Sequence, residues 1–249
     1  MATDTAIHPT TDPADRTRRI ALAAGALYIV TFVTSIPVLG MYDHALHDVD
    51  FIFGAGSDLP VRLGGLLEVV CGLAGIATAV VLYPVTRRVH RAAAIGFVGS
   101  RTMEAAMIFV GVLSMLSMVT LRHDAAGADA ASLTTAWHSL VALKNWTFVL
   151  GPGYMPAVNA LCLATIVYRA RLVPRLIPAV GLVGAPLLVL SSTVTLFGGW
   201  EQVSTPAMLL ALPIAAWEFS LGMWMMFKGF TTTSAAAPAP EPSPALAVA

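Results

Sequence analysis

The chain has 249 residues, 57% of them hydrophobic and 11% charged, with a mean hydropathy of +0.78. A soluble domain carries about a quarter charged side chains, so the composition points to a membrane and excludes an ordinary aqueous fold. Formal net charge is zero, so no global field attracts nucleic acid.

Residues 1–15 are rich in Thr, Asp and Pro, and residues 231–249 in Pro and Ala. Neither can bury enough apolar area to offset the entropy of ordering, so both are expected to be mobile tails around a transmembrane domain, 16–230. Within it six apolar stretches fit helices of the ~20 residues a bilayer crossing needs. They are Ile20–Leu39, Leu63–Tyr83, Ala93–Leu121, Trp146–Tyr168, Leu176–Phe197 and Pro206–Phe227. Barrel strands would alternate and need only about ten residues, so the expected fold class is all-α, a six-helix polytopic bundle with short loops. The first stretch follows Arg16, Arg18 and Arg19, but it is too long for a signal-peptide core and lacks a small-x-small cleavage site.

Charge sorts by side. Arg16, Arg18, Arg19, Arg87, Arg88, Arg91, Arg169, Arg171, Arg175 and Lys228 fall together if there are six spans. Asp43, Asp48, Asp50, Asp58, Asp124, Asp129 and Glu201 fall on the other side with Arg62, Arg122 and Lys144. Basic loops stay cytoplasmic, so the expectation is a multi-pass membrane protein with both termini in the cytoplasm. One span more or fewer would break the agreement. Tyr42, Trp146 and Trp200 are expected as an outer aromatic belt, and Tyr83, Tyr168 and Trp224 as an inner one.

Along the chain, Glu68 sits in the outer third of the second span, where it could snorkel or face Arg62 in an outward cavity; snorkelling is the preferred reading. Tyr83, Gly96 and Gly99 recur at one offset as Tyr168, Gly181 and Gly184, a weak parallel repeat that Gly- and Val-rich sequence also produces by chance. Leu133, Trp137, Leu140 and Val141 have helical spacing, which fits either a surface helix or an extension of the fourth span. Gly151, Pro152, Gly153 and Pro156 predict a break in that span. Cys71 and Cys162 differ in depth by roughly 10 Å, too far for a disulfide.

Four polar side chains lie deep in the spans: Arg101, Glu104, Asn159 and Glu218. At ~1.5 Å per residue from the basic ends their depths are ~12, ~16, ~14 and ~14 Å, one layer near the midplane. Each charge there costs roughly 2.5–3.5 kcal/mol on insertion scales, so they should turn inward and pair. Two acids and one arginine leave a surplus negative charge that desolvation opposes. Arg101 is therefore expected to pair with one glutamate while the other holds a proton. That layer reads as a static clasp between helices, as a proton or solute site, or as part of an enzyme.

Catalytic and cofactor signatures are missing. His44, His47, His90, His123 and His138 fall in loops or at the interface and His8 in the tail, which argues against haem and leaves the stretch MYDHALHDVD as a solvated acidic loop rather than a metal site. No Gly-x-Ser-x-Gly, His-Glu-x-x-His or phosphate-cradling glycine loop occurs. No cofactor, no metal and no nucleic-acid partner is expected. The expected partner is the lipid bilayer, with a homo-oligomer open and partner proteins unknown.

SRTMEAAMIFVG, NWTFVLGPGYMPAVNALCLATIVYRARLVPRLIPAVGLVG and WEFSLGMWMMFKGF resemble a bacterial integral-membrane family, domain of unknown function 4386. The shared pattern is Arg-x-x-Glu (Arg101, Glu104), Asn159 after Gly151-Pro152-Gly153, a Tyr168-to-Arg175 loop, and Glu218 before Trp224 and Lys228-Gly229. The resemblance spans roughly Arg16 to Phe230 and implies a fold and a membrane location but no activity. A structural or sensory role is slightly favoured, with a proton-coupled transporter or permease of a small solute and an intramembrane enzyme as alternatives.

Overall fold

The computed structural model describes residues 13–124 and 127–231. Most of both expected tails, 1–12 and 232–249, therefore lies outside the described residues. Seven α-helices follow in order: α1 Pro13–His47, α2 Leu59–Val89, α3 Arg91–Asp124, α4 Ala130–Phe148, α5 Met155–Arg169, α6 Leu176–Leu196 and α7 Thr205–Phe227. A 3₁₀ turn, Val49–Phe51, follows α1, and a π-helical turn, Val149–Gly153, joins α4 to α5. Six helices are long and apolar enough to cross a membrane, α4 and α5 counting as one, Ala130–Arg169.

Why these segments are helical follows from their content. They are runs of Ala, Leu, Met and Val in which every backbone group must bond within the segment once water is gone. Several outrun the bilayer. The 35 residues of α1 reach about 52 Å against a hydrocarbon core of about 30 Å. The excess carries the charges. Asp43, His44 and His47 lie in the last turns of α1 and not in a loop, and His44 and His47 pair with Asp48 and Asp43 at 3.3 and 3.1 Å. At the other end α1 starts at Pro13, so residues 13–15 of the expected tail are helical.

Each span packs on its chain neighbours, and α1 against α7 closes the set into a ring. That closure rests on glycine. A methyl on Gly25 would fall 2.6 Å from the Gly222 carbonyl oxygen, so the two backbones touch. Arg18 finishes the contact by donating to the Met225, Met226 and Phe227 carbonyls, which the end of α7 leaves free. Thr231 N–H donates to the Leu172 carbonyl at 2.8 Å, tying the first residue of the expected C-terminal tail to the α5–α6 loop.

The interior has two apolar clusters. One surrounds α5, whose Ala157, Ala160 and Ala164 are fully buried beside Trp217 and Phe97. The other lies towards the acidic end around Tyr42, Phe51, Met115 and Trp137. Trp137 and Leu133 are buried in it, and the Trp137 indole donates to the Ala45 carbonyl. The segment 133–144 is thus the upper part of the fourth span and no separate surface helix.

The glycines of the weak repeat serve different contacts. Gly96 faces Cys162 of α5, Gly99 faces open space, and Gly181 and Gly184 press on Trp217 and Ile214 of α7.

Candidate functional site: two buried ionic layers

Ser100, Arg101 and Glu104 occupy one face of α3, as residues three and four apart do. Asn159 of α5 and Glu218 of α7 meet them. Arg101 Nη1 donates to Glu104 Oε2 at 3.0 Å, and Nη2 donates to Glu218 Oε1. Asn159 Nδ2 donates to the same Glu104 oxygen at 2.7 Å while its Oδ1 accepts from Ser100. The amide is thereby oriented by its two partners. Exposure of the side chains is 5% for Arg101, 12% for Glu104 and 14% for Glu218. The guanidinium carbon lies 5.3 Å from the Tyr28 ring centroid and 5.8 Å from that of Phe97, within cation–π range. Arg101 Nε has no acceptor among the described residues.

Local backbone features place these groups. The Gly25–Gly222 contact brings α1 close enough for Tyr28 to reach the arginine, one turn from Glu218. The π-turn does the same for α5. A methyl on Gly151 would sit 2.6 Å from Met107 Cβ and 3.6 Å from the Glu104 carbonyl oxygen, so only glycine lets the break lie on α3 beside Glu104. Ser192 of α6 donates to the Gly153 carbonyl at 2.8 Å, satisfying a group the break frees, and Tyr154 bonds Thr193 at 3.0 Å. Pro156 sits in the first turn of α5, where its missing N–H costs nothing.

Glu68 behaves otherwise than its sequence position suggested. It neither snorkels nor meets Arg62. Lys144 Nζ donates to both of its oxygens at 2.7 and 2.8 Å, and Tyr42 Oη donates at 3.0 Å. Lys144 is 7% and Glu68 12% exposed in the side chain, and the ammonium lies 4.8 Å from the Tyr42 ring centroid. Tyr42 is therefore a buried partner and not a belt residue. Arg62 is instead 3.9 Å from Asp58. Lys144 was missed because its charge was counted with the outer loops. Its position on the same helical face as Trp137 and Leu140–Val141 was the available signal.

A third group sits at the acidic end. Asp58 pairs with Arg122 at 2.8 Å and with His123, which joins the start of α2 to the end of α3. Among the described residues no three His, Cys, Asp or Glu side chains form a group able to hold a metal ion. A cavity of about 180 Å³ near His44, Phe51 and Gly56, and a groove of about 470 Å³ between α6 and α7, do not include Arg101, Glu104, Asn159 or Glu218 in their walls.

The fold and these layers define a class: an all-helical polytopic membrane protein with polar residues paired between the middles of its spans. The family described as Domain of unknown function (DUF4386) matches residues 23–229, and the chain belongs to it. No curated protein and no solved structure matches the chain.

Proposed function

We propose that this chain is a resident of the bacterial inner membrane, with both termini in the cytoplasm, and that its midplane layer is a clasp serving a structural or sensory role. One observation carries the reading. The Arg101 guanidinium is spent on Glu104 and Glu218, and Asn159 of a third helix donates to Glu104. A guanidinium so engaged has little left for a passing solute. In lipid no hydrophobic force holds helices together, so paired polar groups and close small-residue contacts supply the specificity.

A second reading rests on charge. One guanidinium faces two carboxylates, so the layer either carries a net negative charge or binds a proton. A glutamate that exchanges that proton would couple it to solute movement. Proteoliposome flux decides between the two. With Glu104→Gln and Glu218→Gln beside wild type, the clasp expects background flux in all three for a broad solute panel and for protons. Wild-type flux above empty liposomes that both variants abolish would overturn the clasp and establish the transporter.

A further inference from the structure

The groove between α6 and α7 is not used by either ionic layer. Ile177, Phe219, Ser220, Met223, Trp224 and Lys228 line it. Its floor is apolar, since the Ser220 hydroxyl turns back to the Trp217 carbonyl at 3.1 Å. Its mouth is basic. Lys228 is exposed and makes no ion pair among the described residues, and Arg18 rather than Lys228 satisfies the last carbonyls of α7. Arg169 at the end of α5 and Arg171 and Arg175 in the adjoining loop, all exposed, precede Ile177.

Depth orders these groups along α7. Lys228 lies at the helix end, Trp224 ~6 Å deeper and Phe219 ~13 Å deeper at 1.5 Å per residue. A cation at headgroup depth and an apolar trough below it match the phosphate and acyl chain of a phospholipid. We infer that this groove is a binding site for one anionic phospholipid from the leaflet on the Lys228 side. Charge complementarity selects the headgroup. The neighbouring loop supplies arginines and no acid, so a net negative lipid is attracted where a zwitterion gains little.

Native mass spectrometry of the full chain in detergent, with phosphatidylglycerol and phosphatidylcholine of matched chains added together, tests this. Wild type should retain one phosphatidylglycerol in preference to phosphatidylcholine. One cation near the surface is worth roughly five-fold in affinity, so Lys228→Gln should cut the preference by about that factor. Ser220→Leu, which fills the trough without touching charge, should lower retention of both lipids. Arg88→Gln, a basic-side change outside the groove, should leave the preference unchanged. The site is overturned by equal retention of the two lipids in wild type. It is equally overturned by Arg88→Gln acting as strongly as Lys228→Gln, which would mean a diffuse field, or by crosslinks from Ser220→Cys showing a second copy of the chain seated in the groove.

Discussion

Arg101 is outnumbered by its acids, and that imbalance predicts an asymmetry among substitutions. Removing the arginine strands two carboxylates in a dry site, and breaking a buried pair this way costs about 3–5 kcal/mol. Removing one acid's charge leaves the guanidinium with a carboxylate and a hydrogen-bonding amide. Thermal unfolding in detergent should therefore show Arg101→Met far less stable than Glu218→Gln, whose loss should stay near ~1 kcal/mol. Equal losses would mean that the surplus charge is absent. The outer pair is balanced, one ammonium to one carboxylate, so its prediction is a coupling. Lys144→Met and Glu68→Gln should each destabilise, and the double variant should lose less than the sum by ~1 kcal/mol or more.

At the scale of the element, the helices meet where glycine removes the Cβ. Gly25→Ala places a methyl against backbone, which cannot yield as a side chain can, so α1 and α7 must part at a cost of about 1–3 kcal/mol. Gly99, also in a helix, faces open space, so Gly99→Ala should be neutral or gain up to ~1 kcal/mol from helix propensity. The two melting temperatures should move in opposite directions or only Gly25→Ala should fall. The π-turn gives a further case. Ser192→Ala leaves the Gly153 carbonyl without its donor, and a buried unpaired carbonyl costs about 1–3 kcal/mol. The loss should appear as earlier unfolding and as faster proteolysis near the α4–α5 joint.

For the whole molecule the testable property is topology. Reporters fused to the two ends, and one placed in the Asp124–Asp129 loop, should show both ends on the cytoplasmic side and the loop opposite. Both ends reporting from the periplasm would reverse the orientation proposed above, and one end alone would refute six crossings. Much of the architecture was legible beforehand because the bilayer acts on local sequence. A span must be apolar for about 20 residues and its ends must carry the sorted charges, and both are visible without knowing any neighbour. Arg101, Glu104, Asn159 and Glu218 were found for the same reason, since a polar group inside an apolar run stands out.

Contacts made across helices were not legible in that way. Depth counting placed the four groups in one layer but left open which glutamate the arginine would take; the fold gives it both. Glu68 looked free to snorkel because its partner, Lys144, lies 76 residues away on a segment whose apolar spacing fitted two placements. Tyr42 read as a belt residue until α1 turned it inward. What the amino-acid order alone determined was the number of crossings and their polar layer, both set by transfer of each segment from water to lipid. Which carboxylate meets which cation was decided only by tertiary structure, because it depends on the rotation of each helix about its axis, and that rotation is set by glycine contacts between helices far apart in the chain.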